Sequence, residues 1–254
     1  DWRINGMDHI SPTQIGMFLR CPAQYYFRYC EGLILPPKSA LTRGRAVHKG
    51  QEVNYRQKIE TKQDLPVADV LDAVSTEFDV QAPETEWAPD ENPGKVKDET
   101  ISLAGLYHQE IAPTVQPEFV EEEVFVEIVP DLNLKGFIDV VQEGGIIRDT
   151  KTTARTPSAD AIEKNLQLSA YSLAYRSLLG VPEAGLRLDY LVNTKTPKVV
   201  TLEGKRTDAD IKRFAAIAER ISKAIQTGVF YPNQDNFLCS KDNCGYWDLC
   251  HKKF

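Results

Sequence analysis

Residues 136–153, GFIDVVQEGGIIRDTKTT, predict two β-strands joined by a tight turn. β-Branched and aromatic residues dominate both halves of this stretch, as is typical of strands. Glu-Gly-Gly at 143–145 separates the halves and supplies glycines for the positive φ angles that a tight hairpin needs. We therefore expect an antiparallel β-hairpin at the centre of the fold.

Three charged side chains interrupt the apolar pattern of this hairpin: Asp139 in the first strand, and Asp149 and Lys151 in the second. Asp149 and Lys151 are two residues apart, so on a strand they project from the same face. A hairpin can bring Asp139 beside them. Two carboxylates and an ammonium group on one concave face could bind a divalent cation and orient a water molecule. A surface hairpin with an ordinary, weak salt bridge accounts for these residues equally well.

The length and composition of the chain suit one soluble domain. It has 254 residues, of which 42% are hydrophobic, enough for a sizeable core. We expect a single domain, 1–254, with a helical acidic insertion at about 61–117 and a cysteine-containing segment at 237–254. No apolar run approaches the length of a membrane span, and the N-terminal sequence is too polar for a secretory signal. We therefore expect a cytoplasmic protein.

The net charge of −7 is unevenly distributed along the chain. Residues 64–131 contain eighteen acidic residues and two lysines, so this segment carries a charge near −16 and the remainder is net positive, near +9. A basic body with an acidic lobe could bind a phosphate backbone on one side. An acidic surface that only keeps the protein soluble explains the pattern equally well.

A helix predicted near residues 41–57 carries the histidine of greatest interest. Gly44, His48 and Glu52 recur at intervals of four residues and therefore share one helical face. A lone histidine on a helix is usually structural or exposed. His48 matters because imidazole can complete a metal site that two carboxylates begin.

The segments on either side of the hairpin are predicted to be a strand and a helix. Residues 119–129 favour a strand in which most of the glutamates, Glu121, Glu123 and Glu127, face solvent.

A long helix is predicted to begin at Ser158 and to end at Gly180. Gln167 and Tyr171 lie four apart on one face of it and could hold a phosphate, a base edge or a water molecule. Polar residues that simply face solvent are the plainer interpretation.

Three cysteines lie close together near the C-terminus: Cys239, Cys244 and Cys250. Such clustering in an intracellular chain favours metal ligands over disulfides. Cys21, beside Pro22, is our candidate for a fourth ligand, with Cys30 and His251 in reserve. Four thiolates suit either an iron–sulfur cluster or zinc, and ligation by Cys21 would join the first helix to the last residues. Reduced, unligated cysteines are the alternative.

Together these motifs resemble the PD-(D/E)XK nuclease superfamily, in its RecB-like and Cas4-like branch. The resemblance covers nearly the whole chain except the acidic insertion, and the order of the motifs makes it fairly specific. Ser11, Cys21-Pro22 and the three C-terminal cysteines match the iron–sulfur subset, which is similar to the AddB nuclease domain. The other matching motifs, in the family's order, are Gly44-x-x-x-His48, Gly136-Phe137-Ile138-Asp139, Asp149-Thr150-Lys151 and Gln167-x-x-x-Tyr171.

The sequence departs from the family's pattern in two places. Ile138 stands before Asp139, where the motif is usually quoted with proline. The C-terminal cysteines are spaced C-x4-C-x5-C, whereas C-x2-C-x5-C is usual. The second departure leaves the choice between an iron–sulfur cluster and zinc open.

The resemblance implies an α/β fold with a central mixed β-sheet flanked by helices, as in restriction endonucleases, with a helical insertion and a metal-clipped region that joins the two ends of the chain. By the same resemblance, His48, Asp139, Asp149 and the Thr150 carbonyl would bind Mg2+ or Mn2+. Lys151 would orient or activate the attacking water. Gln167 and Tyr171 would position DNA or the lysine. A [4Fe-4S] cluster, or zinc, would be held by four cysteines: Cys21, Cys239, Cys244 and Cys250.

The function implied is that of a metal-dependent DNA nuclease, with an exonuclease on single-stranded ends preferred. Its setting would be recombination, repair or phage- or CRISPR-type DNA processing in a bacterium, archaeon or phage, and a helicase or recombination protein could be its partner. Two other classes stay open. One is a non-catalytic iron–sulfur subunit that binds DNA in a larger repair complex. The other is a structural metalloprotein whose hairpin carboxylates are incidental.

Overall fold

The structure, a computed structural model, describes residues 9–254, so the first eight residues of the predicted domain lie outside it. A six-stranded mixed β-sheet forms its centre. The strands are β1 (His9–Ile10), β2 (Pro117–Val129), β3 (Leu132–Gln142), β4 (Ile146–Thr153), β5 (Gly185–Val192) and β6 (Lys198–Gly204). The helices are α1 (Pro12–Arg20), α2 (Pro22–Tyr25), α3 (Ser39–Thr61), α4 (Val67–Gln81), α5 (Pro93–Glu110), α6 (Leu166–Leu179), α7 (Asp208–Gln226) and α8 (Trp247–Lys253). The predicted α/β class, a mixed sheet flanked by helices, is confirmed.

The central strand β3 has three neighbours. β2 pairs with it in antiparallel fashion along nearly its whole length, so β1 and β4 must share the opposite edge. On that edge β1 pairs with residues 133–134 in parallel, and β4 pairs with residues 140–142 in antiparallel orientation. Within the described part of the chain, no strand pairs with residues 135–139 on this edge. The sheet is therefore open between β1 and β4.

The predicted hairpin is present as β3 and β4. Gly144 and Gly145 in its turn adopt φ angles of 87° and 79°, which only glycine takes without strain. Gly145 is also constrained by space, since a Cβ atom there would lie 2.6 Å from the hydroxyl of Tyr175. The other edge of β4 pairs in parallel with β5 from Ile146 to Thr153, which holds the strand inside the sheet.

Two helical layers cover the sheet. Helices α1, α6 and α7 pack on one face and form the larger hydrophobic core. Helices α3, α4 and α5 form a second core with the opposite face. The segment predicted as an insertion, 61–117, therefore supplies two of the three helices of this second layer, α4 and α5. No helix in the described residues is both long and apolar enough to cross a lipid bilayer.

Capping residues define the starts of several helices. The Ser11 hydroxyl accepts a hydrogen bond from Gln14 N at 3.2 Å, and the Gln14 side chain accepts one from Ser11 N at 2.7 Å. This reciprocal capping box, with Gln14 three residues after Ser11, begins α1. Thr207 and Asp210 form the same arrangement at the start of α7.

The predicted start of α6 at Ser158 is wrong, because the helix begins at Leu166. The Asn165 side chain caps it by accepting a hydrogen bond from Leu168 N at 2.9 Å. Arg206, buried below the preceding segment, donates to the carbonyl oxygens of Ile162 and Asn165 at 2.7 and 3.0 Å. These hydrogen bonds hold residues 158–165 outside the α6 helix, and a local helix pattern does not reveal such distant partners.

A buried ion pair joins β4 to β5. Arg148 is 5% exposed and donates from Nη1 to Oδ2 of Asp189, which is fully buried. Asp189 also accepts a hydrogen bond from Thr201 at 2.6 Å, and Arg148 Nε donates to Gln142 at 3.0 Å. The pair is therefore fully hydrogen-bonded, as a buried pair must be to be tolerated.

We expect Asp189→Ala to lower the free energy of unfolding by about 3–5 kcal/mol, because it leaves the Arg148 charge buried without its partner. Urea denaturation measures this. Glu203→Ala is the matched control, since Glu203 forms an exposed pair with Arg187 on neighbouring strands and its loss should cost less than about 1 kcal/mol. Equal losses in both variants would contradict the assignment.

Candidate functional site

The predicted hairpin side chains meet where β3 and β4 separate. Asp139 lies immediately before the last residues of β3 that pair with β4. Asp149 and Lys151 lie on β4, and Lys151 Nζ donates to Asp149 Oδ1 at 2.8 Å. Thr150 N donates to Asp139 Oδ2 at 3.4 Å, which ties the two carboxylates to the same part of the sheet. The structure thus brings together the three charged residues of the hairpin.

Helix α6 contributes the predicted polar pair to this site. Lys151 Nζ donates to Gln167 Oε1 at 2.8 Å, and the Gln167 amide donates in turn to the hydroxyl of Tyr171. Tyr171 is 3% exposed, and burial raises its pKa, so the hydroxyl stays protonated. The chain of bonds from Tyr171 through Gln167 holds the lysine ammonium at a fixed position beside Asp149.

Helix α3 places His48 on the other side of the carboxylates. His48 Nε2 lies 3.0 Å from the carbonyl oxygen of Thr150, so a protonated Nε2 donates to it. Nδ1 then faces Asp139, with 3.4 Å between Nδ1 and Asp139 Oδ2. An imidazole in this tautomer offers the Nδ1 lone pair to a cation next to the carboxylate.

Glu121 belongs to the same cluster, although the sequence pattern favoured solvent exposure for most glutamates of this strand. Its carboxylate lies 3.9 Å from His48 Nδ1. Ligand atoms of His48, Glu121 and Asp139 all lie within 4.8 Å of one another, close enough to share one metal ion. The backbone of Glu121 adopts φ 48°, a left-handed conformation that strand periodicity cannot anticipate. The run of three acids at 121–123, which breaks strict alternation, is the one available signal.

The acidic groups repel one another and are partly buried. Burial, followed by the charge of Asp139, raises the pKa of Asp149 to about 7, although Lys151 acts in the opposite direction. Burial and Asp139 likewise raise the pKa of Glu121 to about 7. Burial lowers the pKa of Lys151, but the charges of Asp149 and Asp139 outweigh it, and the net shift is upward. The site therefore carries more negative charge than its own cation neutralises.

One oxygen of the site has no protein partner. Asp149 is fully buried, and its Oδ2 lacks a hydrogen-bond partner in the described part of the chain. A buried carboxylate oxygen without a donor is costly unless a cation or water satisfies it. Hard oxygen ligands with an adjacent imidazole suit Mg2+ or Mn2+. The residues present therefore fit a divalent cation.

The opposite face of β4 positions the Thr150 backbone. Gln51 of α3 donates to the Thr150 hydroxyl at 3.2 Å. Tyr107 of α5 hydrogen-bonds with the same residue and accepts from the hydroxyl of Tyr55 at 3.0 Å. The 61–117 segment, predicted only as a helical acidic insertion, thus contributes Tyr107, which supports the strand that carries Asp149 and Lys151. Gln51 and Tyr107 come from distant helices, so no local motif reveals them.

The four cysteines singled out from the sequence line one cavity of about 500 Å3: Cys21, Cys239, Cys244 and Cys250. Burial raises the pKa of Cys250, and the three neighbouring thiols raise it further. Asn233 N donates to Cys21 Sγ at 3.4 Å and the Gln24 amide donates to Cys244 Sγ at 3.5 Å. Such donors stabilise thiolates, so the residues fit a thiolate-bound metal or cluster.

The two reserve ligands occupy different positions. Cys30 packs against the main core and is not among the residues that line the cavity. Burial raises its pKa to about 11, which disfavours a thiolate. His251 does line the cavity, but its ring lies 4.0 Å from the Trp247 ring, and Nδ1 lies 3.0 Å from the Trp247 carbonyl oxygen.

The fold and the carboxylate–lysine cluster agree with the comparison with known proteins. The model of the PD-(D/E)XK nuclease superfamily matches residues 9–251. The chain therefore belongs to the PD-(D/E)XK nuclease superfamily. No protein of curated function matches its sequence.

Two solved structures resemble the chain. One is the crystal structure of a protein from Eubacterium rectale provisionally named an exonuclease. It is 14% identical, the match covers 97% of this chain and 88% of that one, and the TM-score is 0.63, which shows a shared fold. The other is the crystal structure of SSO0001, which is 15% identical over 82% of this chain and 84% of that one. Its TM-score of 0.40 is too low to support a comparison.

We expect Mg2+ or Mn2+ to raise the melting temperature of metal-free protein, because a cation offsets the repulsion among the buried carboxylates. At a concentration 100 times the Kd the gain is about 2.7 kcal/mol, or roughly 5–10 °C for a domain of this size. Differential scanning fluorimetry after EDTA treatment measures the shift.

Asp149→Asn should abolish most of this shift and raise the melting temperature of the metal-free protein at pH 7.5. The raised pKa of Asp149 means that its charged form destabilises the fold at that pH, so a neutral side chain removes the penalty. Asp160→Asn, at an exposed carboxylate, is the control and should behave as the wild type. An Asp149→Asn variant with the full metal-induced shift would contradict the assignment.

Proposed function

We propose that the protein is a Mg2+- or Mn2+-dependent deoxyribonuclease of the RecB-like and Cas4-like branch, acting as an exonuclease on single-stranded DNA ends. The observation that carries this proposal is the Asp149 carboxylate: one oxygen accepts from Lys151, and the other is buried without a partner among the described residues 9–254. Buried polar atoms normally have a hydrogen-bond partner, and a bound cation would satisfy the oxygen that has none. The superfamily supports the nuclease activity, and the name of the Eubacterium rectale protein favours an exonuclease.

The metal ligands in this proposal are His48, Glu121, Asp139, Asp149 and the Thr150 carbonyl. A bound divalent cation would lower the pKa of a water molecule and neutralise charge on the phosphate. The carboxylates would hold it, and the His48 ring would be kept in orientation by its contact with Thr150. Gln51 and Tyr107 would keep the Thr150 backbone in place from the opposite face of β4.

Lys151 would be the catalytic cation of the chain itself. Its ammonium lies between Asp149 and Gln167, and its side chain is 34% exposed, so it can reach a phosphate in the open part of the site. The raised pKa keeps it protonated at neutral pH. A fixed ammonium stabilises charge that develops on the phosphate and orients the attacking water. Tyr171 and Gln167 would hold it in that position.

We further propose a [4Fe-4S] cluster on Cys21, Cys239, Cys244 and Cys250, within one nuclease domain spanning 1–254. Zinc–sulfur bonds of about 2.3 Å in a tetrahedron require sulfurs about 3.8 Å apart. Among the described residues, no three of these thiols lie within 4.8 Å of one another. An iron–sulfur cluster binds each thiolate through a different iron and suits the wider spacing. The cavity of about 500 Å3 offers the room.

Lys151→Ala should reduce the cleavage of DNA at least about 100-fold, because it removes the fixed cation beside the phosphate. The assay uses linear single-stranded DNA labelled at one end, with Mn2+ and with EDTA, and circular single-stranded DNA as the test of end dependence. The linear substrate should be degraded by the wild type and the circular one left intact.

Lys164→Ala, at an exposed lysine before α6, is the control for Lys151→Ala and should cleave as the wild type does. Circular dichroism confirms that both variants fold. Wild-type-like cleavage by Lys151→Ala would overturn the role of the lysine. Binding of DNA by the wild type without cleavage of any substrate would favour the non-catalytic iron–sulfur subunit.

Anaerobically purified protein should be brown, with broad absorption in the visible range, and Cys250→Ser should lose the colour. Cys30→Ser is the matched control and should retain it, since Cys30 lies outside the cavity. Iron and zinc are quantified in the same samples by elemental analysis. Colourless wild-type protein with one zinc ion per chain would replace the cluster by a zinc site.

A further inference from the structure

A second cavity of about 500 Å3 adjoins the candidate active site at the open edge of β3. It is lined by His9 of β1 and by residues of the 135–139 stretch that pairs with no strand on this edge in the described part of the chain. Asp139, Gln167 and Tyr171 also line it, so the cavity is continuous with the carboxylate–lysine cluster. Its volume is in the range of pockets that hold small organic ligands.

The walls of this cavity combine aromatic rings with a few polar groups. Phe137 lies two residues from Asp139, about 7 Å along the strand, and its side chain is 49% exposed. Tyr29 contributes a second ring, and Lys135 a half-exposed ammonium that pairs with Glu123 at 3.1 Å. An exposed ring next to a phosphate-cleaving site is placed where the base attached to that phosphate would lie.

The start of α1 closes the cavity on another side. Ser11, Pro12 and Gln14 are among its lining residues. Gly136 of β3 lies against this end of the helix, where a Cβ atom would be 3.4 Å from Pro12 Cδ, an ordinary contact distance. The cavity is therefore built from four separate parts of the chain, namely residues 9–14, Tyr29, residues 135–139 and α6, and is not a groove along one element.

We propose that this cavity binds the unpaired nucleotide next to the scissile phosphate of a single-stranded DNA end, with its base stacked on Phe137. The inference rests on the proposed nuclease function and specifies how the substrate is held. Aromatic side chains stack on every base with similar strength, so the pocket would favour unpaired DNA without selecting a sequence. Lys135 would exchange its exposed, weak ion pair with Glu123 for the backbone phosphate of the same nucleotide.

The shape of the site favours a single strand over a duplex. A base within a duplex is stacked and paired, and it enters a cavity only after it has been extruded, which costs a few kcal/mol. An unpaired terminal base has no such cost. The cavity would therefore make the enzyme select single-stranded ends through binding, in addition to any effect on the chemistry.

The test measures stacking directly. A single-stranded oligonucleotide carries 2-aminopurine at its 5′ or its 3′ end, and its fluorescence and affinity are recorded with Ca2+ in place of Mn2+. Gel electrophoresis verifies that the oligonucleotide stays intact. The wild type should quench the probe at one end. Phe137→Ala should remove the quenching and weaken binding about 5- to 150-fold, the range expected for one stacked base.

Matched variants separate stacking from structural damage. Phe125→Ala removes an equally exposed phenylalanine, 53% exposed on the adjacent strand, that is not among the residues lining the cavity, and it should change affinity less than about 2-fold. Phe137→Trp should restore quenching and affinity. A blunt duplex of the same sequence should bind the wild type and Phe137→Ala alike.

The proposal is overturned if Phe137→Ala quenches and binds as the wild type does, or if it loses affinity for duplex and single strand by the same factor. Its failure differs from a failure of the proposed nuclease function. Wild-type cleavage with an unaffected Phe137→Ala would refute the pocket alone. Absence of cleavage by the wild type with quenching that depends on Phe137 would refute the nuclease and retain the pocket.

Discussion

The burial of the Asp149 carboxylate is the constraint on which the rest of the site depends. Pairing of β4 with β5 along its whole length, and with β3 only near the hairpin turn, leaves Asp149 inside the sheet but close to its opening. The ammonium of Lys151 satisfies one oxygen and offsets part of the cost of burial. The remaining oxygen and the neighbouring Asp139 create a negative field in a place that little water reaches. If no cation bound there, replacing this carboxylate with a neutral side chain would make the folded protein more stable.

The two faces of β4 have different roles. One carries the candidate catalytic side chains, and the other carries side chains that hold the strand in place. Asp149 and Lys151 project toward α6, whereas Arg148 and Thr150 project toward the layer formed by α3 and α5. On that second face the Arg148–Asp189 pair and the Thr150 contacts form a buried polar network that resists a shift of the strand. The helical segment at 61–117 is part of this support because it supplies Tyr107. Its acidic exterior and its structural interior are separate properties of the same helices.

Much of this arrangement could be predicted from local patterns. The hairpin, the shared face of Asp149 and Lys151 and the cap at Ser11 each follow from a spacing of two or three residues, whereas the association of Cys21 with the C-terminal cysteines was expected from the need for a fourth ligand. Glu121 was not predicted as a site residue, because its left-handed backbone conformation turns its side chain toward the site. The start of α6 was predicted wrongly because Arg206, forty residues after the helix begins, donates hydrogen bonds to carbonyl groups of the segment before the helix. Such details depend on contacts between residues that are far apart in the sequence, and local periodicity does not reveal these contacts.

The contact between Cys21 and the segment that begins at Asn233 also has a consequence for the order of events during synthesis. The backbone of Asn233 binds the sulfur of Cys21, and the two residues are 212 positions apart. At about 5–20 residues per second, some 10–40 s pass between the synthesis of Cys21 and that of Asn233. The proposed ligation by all four thiols requires that Cys250, 229 positions after Cys21, has been translated. Under the proposed ligation, the cofactor would bind only after every strand of the β-sheet has been synthesised.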